Sequence, residues 1–147
     1  VNLQKAFRLD EPFAAAFVGA GGKTTSIIQM ARSLKHPAVV TTTTHMGVWQ
    51  MELGDRWIVG MPDFGQLEQM ANGVSIITGA PDEYSKVGSL PAEQLDRLHS
   101  ICQENGWSLL IEADGAKQLP LKAPGEQEPV IPAWVELVVV VAGLTGL

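Results

Sequence analysis

Val18-Gly19-Ala20-Gly21-Gly22-Lys23-Thr24-Thr25 follows the apolar run Phe13-Ala14-Ala15-Ala16-Phe17-Val18 and precedes Ile27, Ile28, Ala31 and Leu34 at helical spacing. A strand, a run of small residues and then a helix is the context that a phosphate-binding loop requires. Small residues let successive backbone N–H groups turn inward around phosphate oxygens, with the positive end of the next helix behind them. Gly19, Ala20, Gly21 and Gly22 meet that demand. In such a loop Lys23 reaches the β- and γ-phosphates and the Thr24 hydroxyl sits on Mg²⁺. Gly19, Ala20, Gly21, Gly22, Lys23, Thr24 and Thr25 are therefore the candidate nucleotide contacts. The full pattern G-x-x-x-x-G-K-[ST] needs a glycine where this chain has Phe17, so the loop is a variant. The competing reading is a glycine-rich turn with a surface lysine, and the flanking strand and helix favour phosphate.

On either side the chain alternates between strands and helices. Ala38-Val39-Val40-Thr41-Thr42-Thr43-Thr44, rich in β-branched residues, is a second predicted strand. Trp57 to Gly60 and Val74 to Gly79 are short strands, separated by an amphipathic helix containing Phe64, Leu67, Met70 and Ala71. The stretch from Met46 to Asp55 shows no clear period and reads as a loop or short helix. Pro91 opens a stronger helix in which Leu95, Leu98, Ile101 and Cys102 share a face, which makes Cys102 a core residue and not a nucleophile. Trp107 to Gly115 and Glu136 to Gly143 supply the last strands, with a Pro-rich passage from Ala116 to Pro132 between them. Several strands are apolar throughout, the pattern of a mostly parallel sheet covered by helices on both faces. The expected fold is α/β and three-layered, of the P-loop NTPase kind.

The second informative stretch is Ile111-Glu112-Ala113-Asp114-Gly115, a strand end that runs into two carboxylates and a glycine. Glu112 stands where NTPases of this kind hold Mg²⁺ beside the loop, and Gly115 where a backbone N–H senses the γ-phosphate. Glu112-Ala113-Asp114-Gly115 thus matches a D-x-x-G switch with Glu replacing Asp. A period of two sets Glu112 and Asp114 on one side of the strand, where a divalent cation would relieve their repulsion. Thr24, Glu112 and Asp114 are the candidate metal residues; a polar turn with solvated acids is the alternative. His45 ends the second strand, where open α/β sheets collect ligand-binding residues, and could orient water or accept a proton. Capping or plain solvation accounts for it slightly better. With Lys23, Glu112 and Asp114 it completes the candidate catalytic set. Lys117 and Lys122 could neutralise an anionic ligand.

Composition bounds these readings. A chain of 147 residues has room for one domain with a core. Its formal charge is −6, from ten Lys plus Arg against sixteen Asp plus Glu with no basic run, which argues against nucleic acid as a partner. A single cysteine excludes an internal disulfide and a cysteine-framed zinc site and fits a reducing cytoplasm. No signal peptide opens the chain, and the apolar run Leu137 to Leu144 is too short to span a bilayer, so no membrane is expected. The chain starts at Val1 and stops directly after that run, at Gly143-Leu144-Thr145-Gly146-Leu147. We read it as one domain, 1–147, of a longer protein that continues at its C-terminus.

Together with Thr41-Thr42-Thr43-Thr44-His45-Met46, the loop and the switch resemble the YqeC family, as do Ala116-Lys117, Pro120-Leu121-Lys122-Ala123-Pro124 and Glu128-Pro129-Val130-Ile131-Pro132. The passage from Glu112 to Pro132 is the most specific part, since ordinary P-loop enzymes lack it. The sequence departs from the usual family pattern at Gln127, where His is common, and at Gln118 and Leu119, where Gly and Arg are common. The resemblance implies a nucleotide-binding accessory protein for selenium-dependent molybdenum hydroxylases. The loop and the Glu-x-x-Gly switch are also similar to those of the class that includes signal-recognition and metal-chaperone enzymes, an analogy that suggests nucleotide-driven delivery of a metal or cofactor.

The expected ligands are a purine nucleoside triphosphate, ATP or GTP, with Mg²⁺, and the expected activity is slow hydrolysis coupled to maturation of a molybdenum hydroxylase. A guanine-selecting Asn-Lys-x-Asp motif is absent from the sequence. Two alternatives stand beside hydrolysis: a kinase or transferase in which His45, Glu112 or Asp114 activates an acceptor hydroxyl, and a phosphate-binding scaffold without turnover. No arginine falls in the loop, the switch or the nearby strand ends, and Val18 occupies a position at which similar loops often carry an extra lysine. Full activity is accordingly expected to need a homodimer, a hydroxylase partner or the C-terminal part. Replacing Lys23 by Ala is expected to lower triphosphate affinity without affecting the fold.

Overall fold

The computed structural model describes residues 3–114 and 129–143. Six strands form one sheet: β1 (Ala14–Ala20), β2 (Ala38–Thr42), β4 (Arg56–Val59), β5 (Val74–Thr78), β7 (Ser108–Glu112) and β8 (Leu137–Ala142). Their order across the sheet is β4-β5-β2-β7-β1-β8, and every neighbouring pair is parallel. β3 (His45–Gly47) and β6 (Lys86–Gly88) make a separate antiparallel pair. Among the described residues four α-helices accompany them: α1 (Leu3–Phe7), α2 (Lys23–Ser33), α3 (Phe64–Met70) and α4 (Ala92–Asn105).

Alternate residues of the central strands feed two cores, because successive side chains of a strand point to opposite faces. Ala15 and Phe17 of β1, Val40 of β2, Ile76 of β5 and Leu110 of β7 pack with Ile27, Met30 and Ala31 of α2. Ala14 and Ala16, Val39, Ile77, Leu109 and Ile111 pack on the other face with Met70 of α3 and Leu98 and Cys102 of α4. The result is the expected three-layer α/β arrangement. Cys102 is buried, and burial pushes its thiol up to about 12, so it is a core residue, as its place on the α4 face implied.

Three details differ from the sequence reading. β2 ends at Thr42, because the Thr44 N–H turns back onto the Thr42 hydroxyl at 3.0 Å and draws the chain out of the ladder. The aperiodic stretch after it becomes β3 and a 3₁₀ helix, Val48–Leu53, anchored by buried Met46 and Met51. β8 is apolar along its length, yet Val138 and Val140 are 45 % and 74 % exposed, because within the described residues it pairs only with β1. No helix among the described residues is long and apolar enough to cross a membrane.

Candidate functional site

β1 and β7 are neighbours, in register from Ala14 opposite Leu109 to Phe17 opposite Glu112. Their carboxyl ends therefore deliver the glycine loop and the two carboxylates to the same edge. The loop must leave β1 and enter α2 within a few residues, and Gly19, Gly21 and Gly22 all take positive φ there, 98°, 81° and 102°. Gly22 caps α2 in the left-handed region with no side-chain capping bond. Gly19 is constrained a second way, since a Cβ on it would run into the Val141 carbonyl of β8.

Lys23 and Thr24 open α2 and are both buried, at 3 % and 8 % exposure. The Lys23 ammonium donates to the Gly19 carbonyl at 2.7 Å and lies 2.9 Å from Asp114 Oδ1. Asp114 Oδ2 accepts the Gly19 N–H at 2.8 Å. One carboxylate thus engages both a loop N–H and the loop lysine, the two kinds of donor that a phosphate would use. The Thr24 hydroxyl donates to Glu112 Oε2 at 2.7 Å. Burial raises the Glu112 carboxyl above its ordinary range; the Thr24 hydrogen bond and the Lys23 charge oppose that shift, and the Asp114 charge adds to it. The repulsion expected between the two acids is managed here by separate partners, Lys23 for Asp114 and Thr24 for Glu112.

Strand β2 closes the other side. The Glu112 carbonyl accepts the Thr43 N–H at 3.0 Å and the Thr42 hydroxyl at 2.9 Å. The Thr43 hydroxyl donates to the Val130 carbonyl at 2.7 Å. One polar side chain that sequence reading passed over joins the centre: Gln50, in the 3₁₀ helix, donates from Nε2 to the Thr24 hydroxyl at 2.7 Å and accepts the Gly47 N–H on Oε1 at 2.7 Å. Gln50, three residues after Gly47, supplies only the half of a capping box that returns to the N-cap N–H, since Gly47 has no side chain for the other half, and nothing local points Gln50 at Thr24.

The structure therefore brings Gly19, Lys23, Thr24, Glu112 and Asp114 together. Ala20 is buried beside them, whereas Gly21, Gly22 and Thr25 are exposed on the loop and the first turn of α2. His45 is exposed on β3, outside the hydrogen bonds that connect these side chains. Gly115, Lys117, Gln118, Leu119, Lys122 and Gln127 lie outside the described residues.

Among the described residues no group of three or more His, Cys, Asp and Glu is placed to hold a metal. Mg²⁺ needs no such group, since it is usually bound through one or two carboxylates plus substrate phosphates and water rather than by an all-protein cage, and the Thr24–Glu112 pair would fit that requirement. Thr24 and Glu112 are the residues that would hold it; the third candidate, Asp114, has its two oxygens on Lys23 and the Gly19 N–H.

A three-layer α/β domain with a glycine loop between β1 and α2, facing acids at the end of β7, is the class that fold and site define. The family model described as YqeC protein matches residues 15–147, and the chain belongs to the YqeC family. It is similar to the protein of Escherichia coli (strain K12) described as "Uncharacterized protein YqeC", with 33 % identity over 138 residues. That match takes in 90 % of this chain and 52 % of the relative, so the chain spans about half the length of the curated relative it matches. No solved structure matches it.

Proposed function

We propose that the domain binds a purine nucleoside triphosphate together with Mg²⁺ at the β1–α2 loop and hydrolyses it slowly, in the service of molybdenum hydroxylase maturation. The observation that carries the reading is the placement of buried Lys23 and Thr24 at the start of α2 against Asp114 and Glu112. Buried charges persist only when paired, and Asp114 fills that role for Lys23 in the free chain. An incoming phosphate offers Lys23 and the Gly19 N–H the same chemistry, with more charge, and frees Asp114 to turn toward solvent or water at the reacting end. Bound Mg²⁺ supplies positive charge against the phosphate oxygens. Thr24 and Glu112 would hold it, the N–H groups of the first α2 turn would bind phosphate, and the loop glycines would let the backbone approach.

Arg32 and Arg56 are committed elsewhere, to Asp55 and Leu53 and to Asn72 and Ser75, so neither lies at the loop to stabilise a transition state. Hence the proposed turnover is slow. The hydroxylase connection rests on the family resemblance and not on the geometry. Calorimetry with ATP and GTP, with and without Mg²⁺, tests binding, and labelled triphosphate tests the reaction. Free phosphate supports hydrolysis, a phosphorylated acceptor makes the domain a kinase or transferase, and binding without turnover makes it a scaffold. Absence of binding to either triphosphate refutes the reading.

A further inference from the structure

We infer that Gln50 senses a cation on Thr24 and transmits its arrival to residues 47–50; this rests on the nucleotide reading above. The Thr24 hydroxyl has one hydrogen and two lone pairs. Its hydrogen goes to Glu112, and Gln50 Nε2 donates onto one lone pair. A divalent cation on the remaining lone pair of the same oxygen would sit beside the Gln50 amide and set its charge against the positive amide hydrogens. Turning the carboxamide over does not resolve the conflict, because Oε1 holds the Gly47 N–H and an inverted amide would set donor against donor. Cation binding therefore drives Gln50 off Thr24 and disturbs its bond to Gly47.

The neighbourhood confines that disturbance and makes it visible. On either side the segment is pinned, by buried Met46 before it and by buried Met51 and the Leu53 carbonyl, held by Arg32 at 2.9 Å, after it; within it the Val48 N–H is held by the Ser85 carbonyl at 2.9 Å. Between the pins, the indole of Trp49 covers Gly47 so closely that a Cβ there would lie 2.5 Å from its Nε1. Trp49 is 71 % exposed, and its indole lies against Gly47. A shift of the Gln50–Gly47 pair changes the solvent contact of Trp49.

The test follows tryptophan emission and calorimetric binding in parallel, on the 147-residue chain, with ATP and GTP in excess Mg²⁺ or in chelator. Magnesium nucleotide should shift the emission and metal-free nucleotide should not, and Trp49→Phe should abolish the shift while binding persists. Gln50→Leu should bind magnesium nucleotide and lose the shift. Gln50→Glu, which keeps the acceptor for Gly47 but attracts the cation, should lower the Mg²⁺ concentration needed for half-maximal binding several-fold; circular dichroism checks that both variants fold. Calorimetric binding of magnesium nucleotide with unchanged Trp49 emission overturns the inference and leaves the nucleotide site standing. Retention of the full shift in Gln50→Leu, or an unchanged Mg²⁺ requirement in Gln50→Glu, overturns it as well. No calorimetric binding at all removes the nucleotide reading and this inference with it.

Discussion

Replacing Lys23 by Met or Ala should do more than weaken nucleotide binding. Sequence alone presents Lys23 as a loop lysine whose loss spares the fold, but in the structure Lys23 is 3 % exposed and its ammonium lies 2.9 Å from Asp114. The pair's side chains are 2 % and 7 % exposed, so solvent screens them little. Removing one member of such a pair leaves an uncompensated buried charge and typically costs about 3–5 kcal/mol. For a domain of this size that corresponds to a fall in Tm of roughly 6–20 °C. Lys23→Met keeps the side-chain volume, so the loss it shows is mainly electrostatic. Adding Asp114→Asn removes the stranded charge while an amide oxygen still accepts the Gly19 N–H, and the double variant should recover most of the loss. Thermal and urea unfolding of the wild type, both single variants and the double variant measure this as a double-mutant cycle. A double variant no more stable than Lys23→Met would refute the buried-pair reasoning. Triphosphate affinity is read separately, at a temperature where all four are folded: it should drop in both chains that lack Lys23. Wild-type affinity in Lys23→Met would refute the phosphate role of the loop.

Glu112→Gln should weaken Mg²⁺-dependent nucleotide binding more than Asp114→Asn, and a Mg²⁺ titration showing the reverse order would move the cation to Asp114. Because burial raises the Glu112 carboxyl, the folded chain retains a proton that the unfolded chain releases; stability from this group is full below the ordinary carboxylate range and is lost as pH rises through the raised value. Glu112→Gln should flatten that part of the stability–pH curve, and wild-type Mg²⁺-dependent binding should strengthen as pH rises through the same window. Gly19→Ala should lower stability by about 1–3 kcal/mol from backbone strain at φ 98°, with a further loss from the approach of β8, and hydrogen exchange should show β8 as the strand most exposed. Single-turnover hydrolysis should be slow and should accelerate with protein concentration or an added hydroxylase. A fast rate independent of concentration would place a cation acting in cis on the bound nucleotide, with Lys117 and Lys122 the first residues to replace.

The amino-acid sequence alone determined the class of fold, because the signals are local: apolar runs ending in glycine, helical spacing after Lys23, and the Leu95, Leu98 and Cys102 face each depend on residues within a few positions of one another. It also singled out Lys23 and Thr24, which follow a run of small residues, and Glu112 and Asp114, which break an apolar run at a strand end. Only the tertiary structure decided who pairs with whom. Placing β7 beside β1 sets Asp114 on Lys23 and Gly19 and leaves Glu112 to Thr24, contacts across 88 to 95 residues of chain that no local period encodes. The same holds for Gln50, a polar residue in an aperiodic stretch, carried to Thr24 because buried Met46 and Met51 anchor that stretch against the core that α2 also packs on. Local pattern specifies which face of an element is apolar, while the meeting of polar ends depends on the order in which strands join, and that is settled by packing of the whole sheet.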